Sequence, residues 1–192
     1  MPIHEPPPEV LSAAEQKILI RAREVALIRS TPQPGDVGLT SITGIVGQLI
    51  RVGQWLNGDG FSHYEHAFIV LEDGMLIEAM PGGAQIVPRS EYDDRDVLYV
   101  SPAGLTDADR QRICDEARKY EGVPYSFADY AAIAAHRLHL PLPGLREFVE
   151  STHHQICSQL VDNAYRDAGI KLFSDSRWSG YCTPGSLYRR LA

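Results

Sequence analysis

The chain has 192 residues, 44% of them hydrophobic and 22% charged, which is the composition of an ordinary globular protein long enough to bury a core without metal or disulfide staples. Its 25 acidic and 18 basic residues give a formal charge of −7, which argues against an electrostatic grip on nucleic acid or anionic lipid and leaves room only for a local basic patch. The longest uncharged run, Val37 to Ile50, has fourteen residues and falls short of the roughly twenty that span a bilayer, so no transmembrane segment is expected. The opening MPIHEPPPEV has acids and prolines where a secretory segment needs positive charge and then an apolar stretch. The expected location is therefore cytoplasmic, with export that needs no signal and association with a virion both left open.

Pro6, Pro7 and Pro8 favour an extended arm at the start of the chain. Ser12, with Glu15 three positions on, forms a capping box, and Ile18, Ala22, Val25 and Ala26 follow at helical spacing. Residues 1–34 are read as this arm and helix, and 35–192 as the main domain. Thr31 to Asp36 is a turn, Val37 to Thr40 a short strand, and Ile42 to Leu56 a second helix weakened by Gly44, Gly47 and Gly53. The period then changes. HAFIVL, MLIEA, AQIVP and DVLYV, separated by Gly, Pro and Asp, read as an antiparallel meander, with Asp73-Gly74 a strong hairpin signal. Thr106 with Asp109 opens a helix that runs to about Tyr120 and buries Ile113, Cys114, Ala117 and Tyr120. Phe127 to Leu138 reads as a helix and Leu140 to Gly144 as a proline-rich loop. Ile156 to Ala168 carries the strongest helical stripe, with Gly169 placed as its C-terminal cap. The rest is loop with a terminal turn of helix. Helix, meander, helices is an α+β order, with a central antiparallel sheet packed by helices.

The three cysteines, Cys114, Cys157 and Cys182, are widely and irregularly spaced and form no C-x-x-C, which speaks against a zinc ribbon or a thioredoxin site. Cys114 reads as a small buried hydrophobe. Cys157 falls in the opening turn of the best helix, where the dipole and backbone amides stabilise an anion. A thiol so placed can have its pKa lowered from ~8.5 to roughly 3.5–7.5, and the same amides can hold a tetrahedral oxyanion. Packing beneath the helix beside Leu160 and Val161 is the alternative reading, and a Cys157–Cys182 disulfide stays open.

A cysteine nucleophile needs a base, and the base an orienting partner. His63 and His66 are the candidate bases. Strand alternation puts His66, Phe68 and Val70 on one face. If the hairpin loop is Glu72-Asp73-Gly74, Phe68 pairs with Glu78, which then lies diagonal to His66 on its face. A two-residue Asp73-Gly74 turn shifts the register by one and sends Glu78 to the opposite face. Glu78 within MLIEA is either a partner of His66 or a solvent-facing carboxylate.

These residues carry a resemblance. HAFIVLEDGMLIEA is similar to the His-strand-turn-strand segment of NlpC-like papain-fold peptidases, in which a polar residue follows the histidine by twelve positions and precedes an alanine, as Glu78 follows His66. ICSQLVDNAYRDAG resembles the Cys-Ser-x-apolar-apolar start of their nucleophile helix, with Cys157 and Ser158 in the first two positions. EGVPYSFADY resembles the Gly-x-Pro-Tyr element, with Tyr125 in the tyrosine position, and GDVGL resembles the Gly-Asp that leads into a strand ahead of the histidine. His66 precedes Cys157 by ninety-one residues, the circularly permuted order of the YiiX-like amidases and the lecithin–retinol acyltransferase relatives. The resemblance covers roughly Gly35 to Gly169. It implies a permuted papain-like catalytic domain and a cysteine amidase or endopeptidase that needs no cofactor or metal and takes a peptide or acyl-amide substrate. Cys157 would be nucleophile, His66 base and Glu78 orienting group, with Tyr125 beside the Cys157 amide at the oxyanion. Standard members usually carry histidine where this chain has Glu78.

Other readings have a basis in the residues too. The pairs His63/His66, His136/His139 and His153/His154 have spacings that can chelate, but no H-E-x-x-H and no paired cysteines complete a site, so they read as surface histidines. His153 or His154 could replace His66 as base. Tyr64, Trp55 and Trp178 are groove walls or core filler. Acyl transfer or thioester hydrolysis on lipid-linked acyl groups, and a non-catalytic binding module on the same fold, are the alternative functions.

Overall fold

The computed structural model describes residues 31–42, 62–124, 156–173 and 182–192. The expected N-terminal arm and helix before residue 31, the second helix beyond Ile42, the helix over 127–138 and the loop after it lie outside these residues.

Five strands form one antiparallel sheet: β1 (Val37–Thr40), β2 (His66–Val70), β3 (Met75–Met80), β4 (Gly83–Pro88) and β5 (Val97–Val100), in the order β4-β3-β2-β1-β5. A short 3₁₀ turn, Arg89–Tyr92, follows β4. Three helices are described: α1 (Asp107–Arg118), α2 (Cys157–Asp167) and α3 (Pro184–Leu191). The α+β class and the antiparallel sheet agree with the reading of the sequence. Among the described residues no helix is long and apolar enough to cross a membrane.

The expected meander holds for β2, β3 and β4 and fails for the fourth run, because β5 pairs with β1 at the opposite edge. The reason lies in the edges. Beyond β4, Ala84 N–H donates to Val123 O and Gly122 N–H to Ala84 O, both at 2.8 Å, so the chain after α1 already occupies part of that edge. The free side of β1 takes β5 instead, with Val37 opposite Val100 and Leu39 opposite Leu98.

The two faces of the sheet differ. On one, Val37, Leu39, Ala67, Ile69, Ile77 and Ala79 meet the helices, whose Ile113, Cys114, Leu160, Val161, Ala164 and Leu187 are buried against them. On the other, Phe68, Val70, Leu76 and Tyr92 form a smaller cluster with Val87, Val97 and Tyr99 at its margin. Gly38 is needed there: the Phe68 ring occupies the place of a side chain, 2.2 Å from where a Cβ would stand.

The helix ends follow their sequence signals. Thr106 and Asp109 exchange capping-box hydrogen bonds at the start of α1. At the end of α2, Gly169 adopts φ +84°, with Gly169 N–H donating to Arg166 O and Ile170 N–H to Tyr165 O. The terminal turn expected after the last loop is a full eight-residue helix, capped by Thr183 and opened by Pro184.

A buried ion pair ties the sheet to α1. Arg110 Nη1 donates to Asp36 Oδ1 at 2.7 Å and to Pro34 O at 2.9 Å, and Nη2 reaches Ser101 Oγ at 3.3 Å. The Tyr165 hydroxyl of α2 donates to Gly35 O beside it. The Gly-Asp pair thus joins the start of β1 to both α1 and α2.

Candidate functional site

Local sequence builds the site at the start of β2 and the start of α2. The Asp73-Gly74 signal and the three-residue loop prove compatible. Asp73 and Gly74 sit at φ 58° and 71°, and Met75 N–H donates to Glu72 O, closing a tight turn around those two residues. Leu71 N–H also donates to Met75 O, so Leu71 and Glu72 together oppose Met75 in a bulge. The bulge moves the register by one and places Phe68 opposite Glu78. Glu78 therefore shares the face of His66.

The His66 Nε2 and Glu78 Oε2 atoms are 2.7 Å apart, and the two side chains are buried, 2% and 3% exposed. Cys157, only 1% exposed, lies close enough to the same imidazole to raise its proton affinity. Nε2 is committed to the carboxylate, which leaves Nδ1 as the second ring nitrogen able to exchange a proton. Cys157 is the first residue of α2, at the positive end of the helix dipole. Gln159 secures this helix start by accepting the Ile156 N–H at 3.1 Å. Ser158 Oγ donates to Cys182 O at 2.7 Å and fastens α2 to the approach of α3.

The electrostatics follow from these contacts. Burial pulls the His66 imidazole towards its neutral form, but the acceptors that Cys157 and Glu78 offer to its ring N–H groups, and the negative charges of both, outweigh it and raise its pKa from 6.5 to about 9. Burial pushes the Glu78 carboxyl upwards, yet His66, Tyr92 and Gln85 together hold it below the ordinary carboxylate range. Both shifts act in the same direction, favouring an imidazolium against a carboxylate. An imidazolium touching sulfur favours the thiolate, the form that attacks carbonyl carbon. Cys114 is the opposite case: burial and the nearby Glu72 carboxylate push its thiol up to about 12. None of the three cysteines is in a disulfide, so the bridge between Cys157 and Cys182 left open by the sequence is not made.

Of the four residues expected at the site, Cys157, His66 and Glu78 come together, and Tyr125 lies outside the described residues. So do Trp55, Trp178, His136, His139, His153 and His154. His63 is described and exposed. Tyr64 packs against Tyr188 of α3, ring centroids 5.0 Å apart. Sequence reasoning missed two groups on Glu78. Gln85 of β4, directly opposite it, donates to Oε1 at 3.0 Å, and the Tyr92 hydroxyl donates to Oε2. Gln85 was accessible from the β3–β4 register. Tyr92 was not, because it arrives from a turn among charged residues with no periodicity to aim it.

No protein-family model and no curated protein matches this chain. Its chemistry therefore rests on the geometry of the site.

Proposed function

We propose that the protein is a cysteine hydrolase that cleaves an amide bond, with peptide amides such as those of cell-wall peptides as the substrate class, on a circularly permuted papain-like fold of the NlpC and YiiX kind. One observation carries the reading: a single buried imidazole is hydrogen-bonded to a carboxylate and lies within electrostatic reach of a helix-start cysteine. A buried carboxylate placed only for stability has no need of a histidine whose other side meets a thiol.

The steps follow from the contacts. The Cys157 thiolate attacks the carbonyl carbon, and the oxyanion forms at the opening amides of α2, with Tyr125 assigned beside them by the family resemblance. The His66 imidazolium gives its proton to the leaving nitrogen as the C–N bond breaks, leaving a thioester on Cys157. Neutral His66 then takes a proton from water, whose oxygen attacks the thioester carbon. The C–S bond breaks, the acid departs and the thiolate–imidazolium pair is restored. Glu78 holds the ring and its charge throughout.

The test is alkylation of the full chain by iodoacetamide near pH 6, mapped by mass spectrometry, with hydrolysis of cell-wall stem peptides measured in parallel. Selective labelling of Cys157, lost in His66→Ala, together with hydrolysis abolished by Cys157→Ala, is the expected result. Labelling of Cys157 no faster than that of Cys114 contradicts the reading. Acyl transfer to an added amine in place of hydrolysis would reassign the acceptor while leaving the nucleophile.

A further inference from the structure

The Tyr92 side chain is 5% exposed and meets the site in two ways. Its hydroxyl donates to Glu78 Oε2, the oxygen that also faces His66 Nε2. Its ring lies nearly parallel to the imidazole, centroids 6.2 Å apart at 14°. Phe68 holds that ring from the sheet side at 4.8 Å, and the Arg95 guanidinium lies 4.7 Å above its centroid. A buried tyrosine hydroxyl needs only one acceptor, and a backbone carbonyl would serve. Here the acceptor is the one carboxylate oxygen in contact with His66.

We propose that Tyr92 is a positioning residue of the Cys157 site, its phenol clamping the Glu78 oxygen that orients His66 and its ring backing the imidazole. The proposal rests on the reading of Cys157, His66 and Glu78 as a catalytic set and adds a fourth member to it. Burial and the Glu78 charge push the phenol far above its ordinary pKa, so Tyr92 stays a donor across the working range. The groups facing this contact are His66 from β2, Gln85 from β4, Arg95 from the loop before β5 and Cys157 from α2. The Tyr92 bond is among those that hold the Glu78 carboxyl down. Without it, Glu78 takes up a proton at higher pH, His66 loses its counter-charge earlier on acidification, and the thiolate of Cys157 is lost with it. Arg95 acts in the same sense, since a cation over the ring makes the phenol a better donor.

The experiment follows the far-ultraviolet absorbance of the Cys157 thiolate, each protein measured against its own Cys157→Ala counterpart, as the full chain is acidified from about pH 8 to about pH 4. Tyr92→Phe keeps the ring and removes the hydroxyl. Its midpoint is expected about one pH unit above that of the unsubstituted chain, the scale of one lost hydrogen bond to a charged group. Arg95→Gln, at a partly exposed side chain, is expected to move it in the same direction by less, and it carries the test should Tyr92→Phe fail to fold. Midpoints that coincide with that of the unsubstituted chain overturn the role of Tyr92 and leave the catalytic set standing. No thiolate signal at neutral pH in the unsubstituted chain overturns both.

Discussion

His66 holds together the chemistry proposed for this chain, and its state is set by two partners. Substituting Glu78→Gln keeps a hydrogen-bonding side chain of nearly the same shape but removes the negative charge. The proton affinity of His66 should then fall from about 9 towards the ordinary 6.5, and the alkaline limit of activity should move down with it. Hydrolysis should drop by about 10²–10⁴-fold, the range for losing an orienting carboxylate or a general acid–base. A kcat/KM profile across pH checks this, and an unchanged alkaline limb would deny Glu78 its part. Cys157, His66 and Glu78 could be named as candidates from local signals, a helix start, a strand start and an acid inside an apolar strand, but it was the family resemblance that joined them into one set. Tyr92 could not, since it reaches Glu78 from a turn fourteen residues further on.

Hairpin geometry shows how far sequence reaches at the scale of the element. The residues offered two turns that placed Glu78 on opposite faces. The structure uses both signals, with the left-handed pair Asp73-Gly74 at the tip and Glu72 inserted as a bulge. A bulge costs no recognisable residue type, so the pattern alone could not decide the register. Gly38 is another element-scale constraint. Glycine inside a strand ordinarily weakens it, yet here the Phe68 ring lies where a side chain would be. Gly38→Ala should push that ring towards Tyr92 and destabilise the fold by about 1–3 kcal/mol, the usual cost of overpacking. Urea unfolding measures the loss, and a neutral result would mean that the Phe68 ring repacks freely.

Across the whole molecule, the placements that sequence left undecided are those that join distant segments. β5 joins β1 rather than β4, whose outer edge is bonded at Ala84 to residues 122 and 123, which come after β5 in the chain. The Asp36–Arg110 pair spans seventy-four residues and fastens the start of β1 to α1. Removing Arg110 leaves the wholly buried Asp36 carboxylate without its counter-charge, held among the described residues only by the Gln33 N–H, so Arg110→Ala should cost about 3–5 kcal/mol. A change below 1 kcal/mol in urea unfolding would show that the pair is incidental.

The central claim is that the two sides of one imidazole hold a thiol and a carboxylate in a charged array. An NMR titration of the His66 ring nitrogens in the intact chain tests it most directly. The expected result is an imidazolium that persists to about pH 9 and whose midpoint falls in Cys157→Ala, where one of its stabilising partners is gone. A His66 that titrates at 6.5 or below, with the same midpoint in both proteins, would contradict the account.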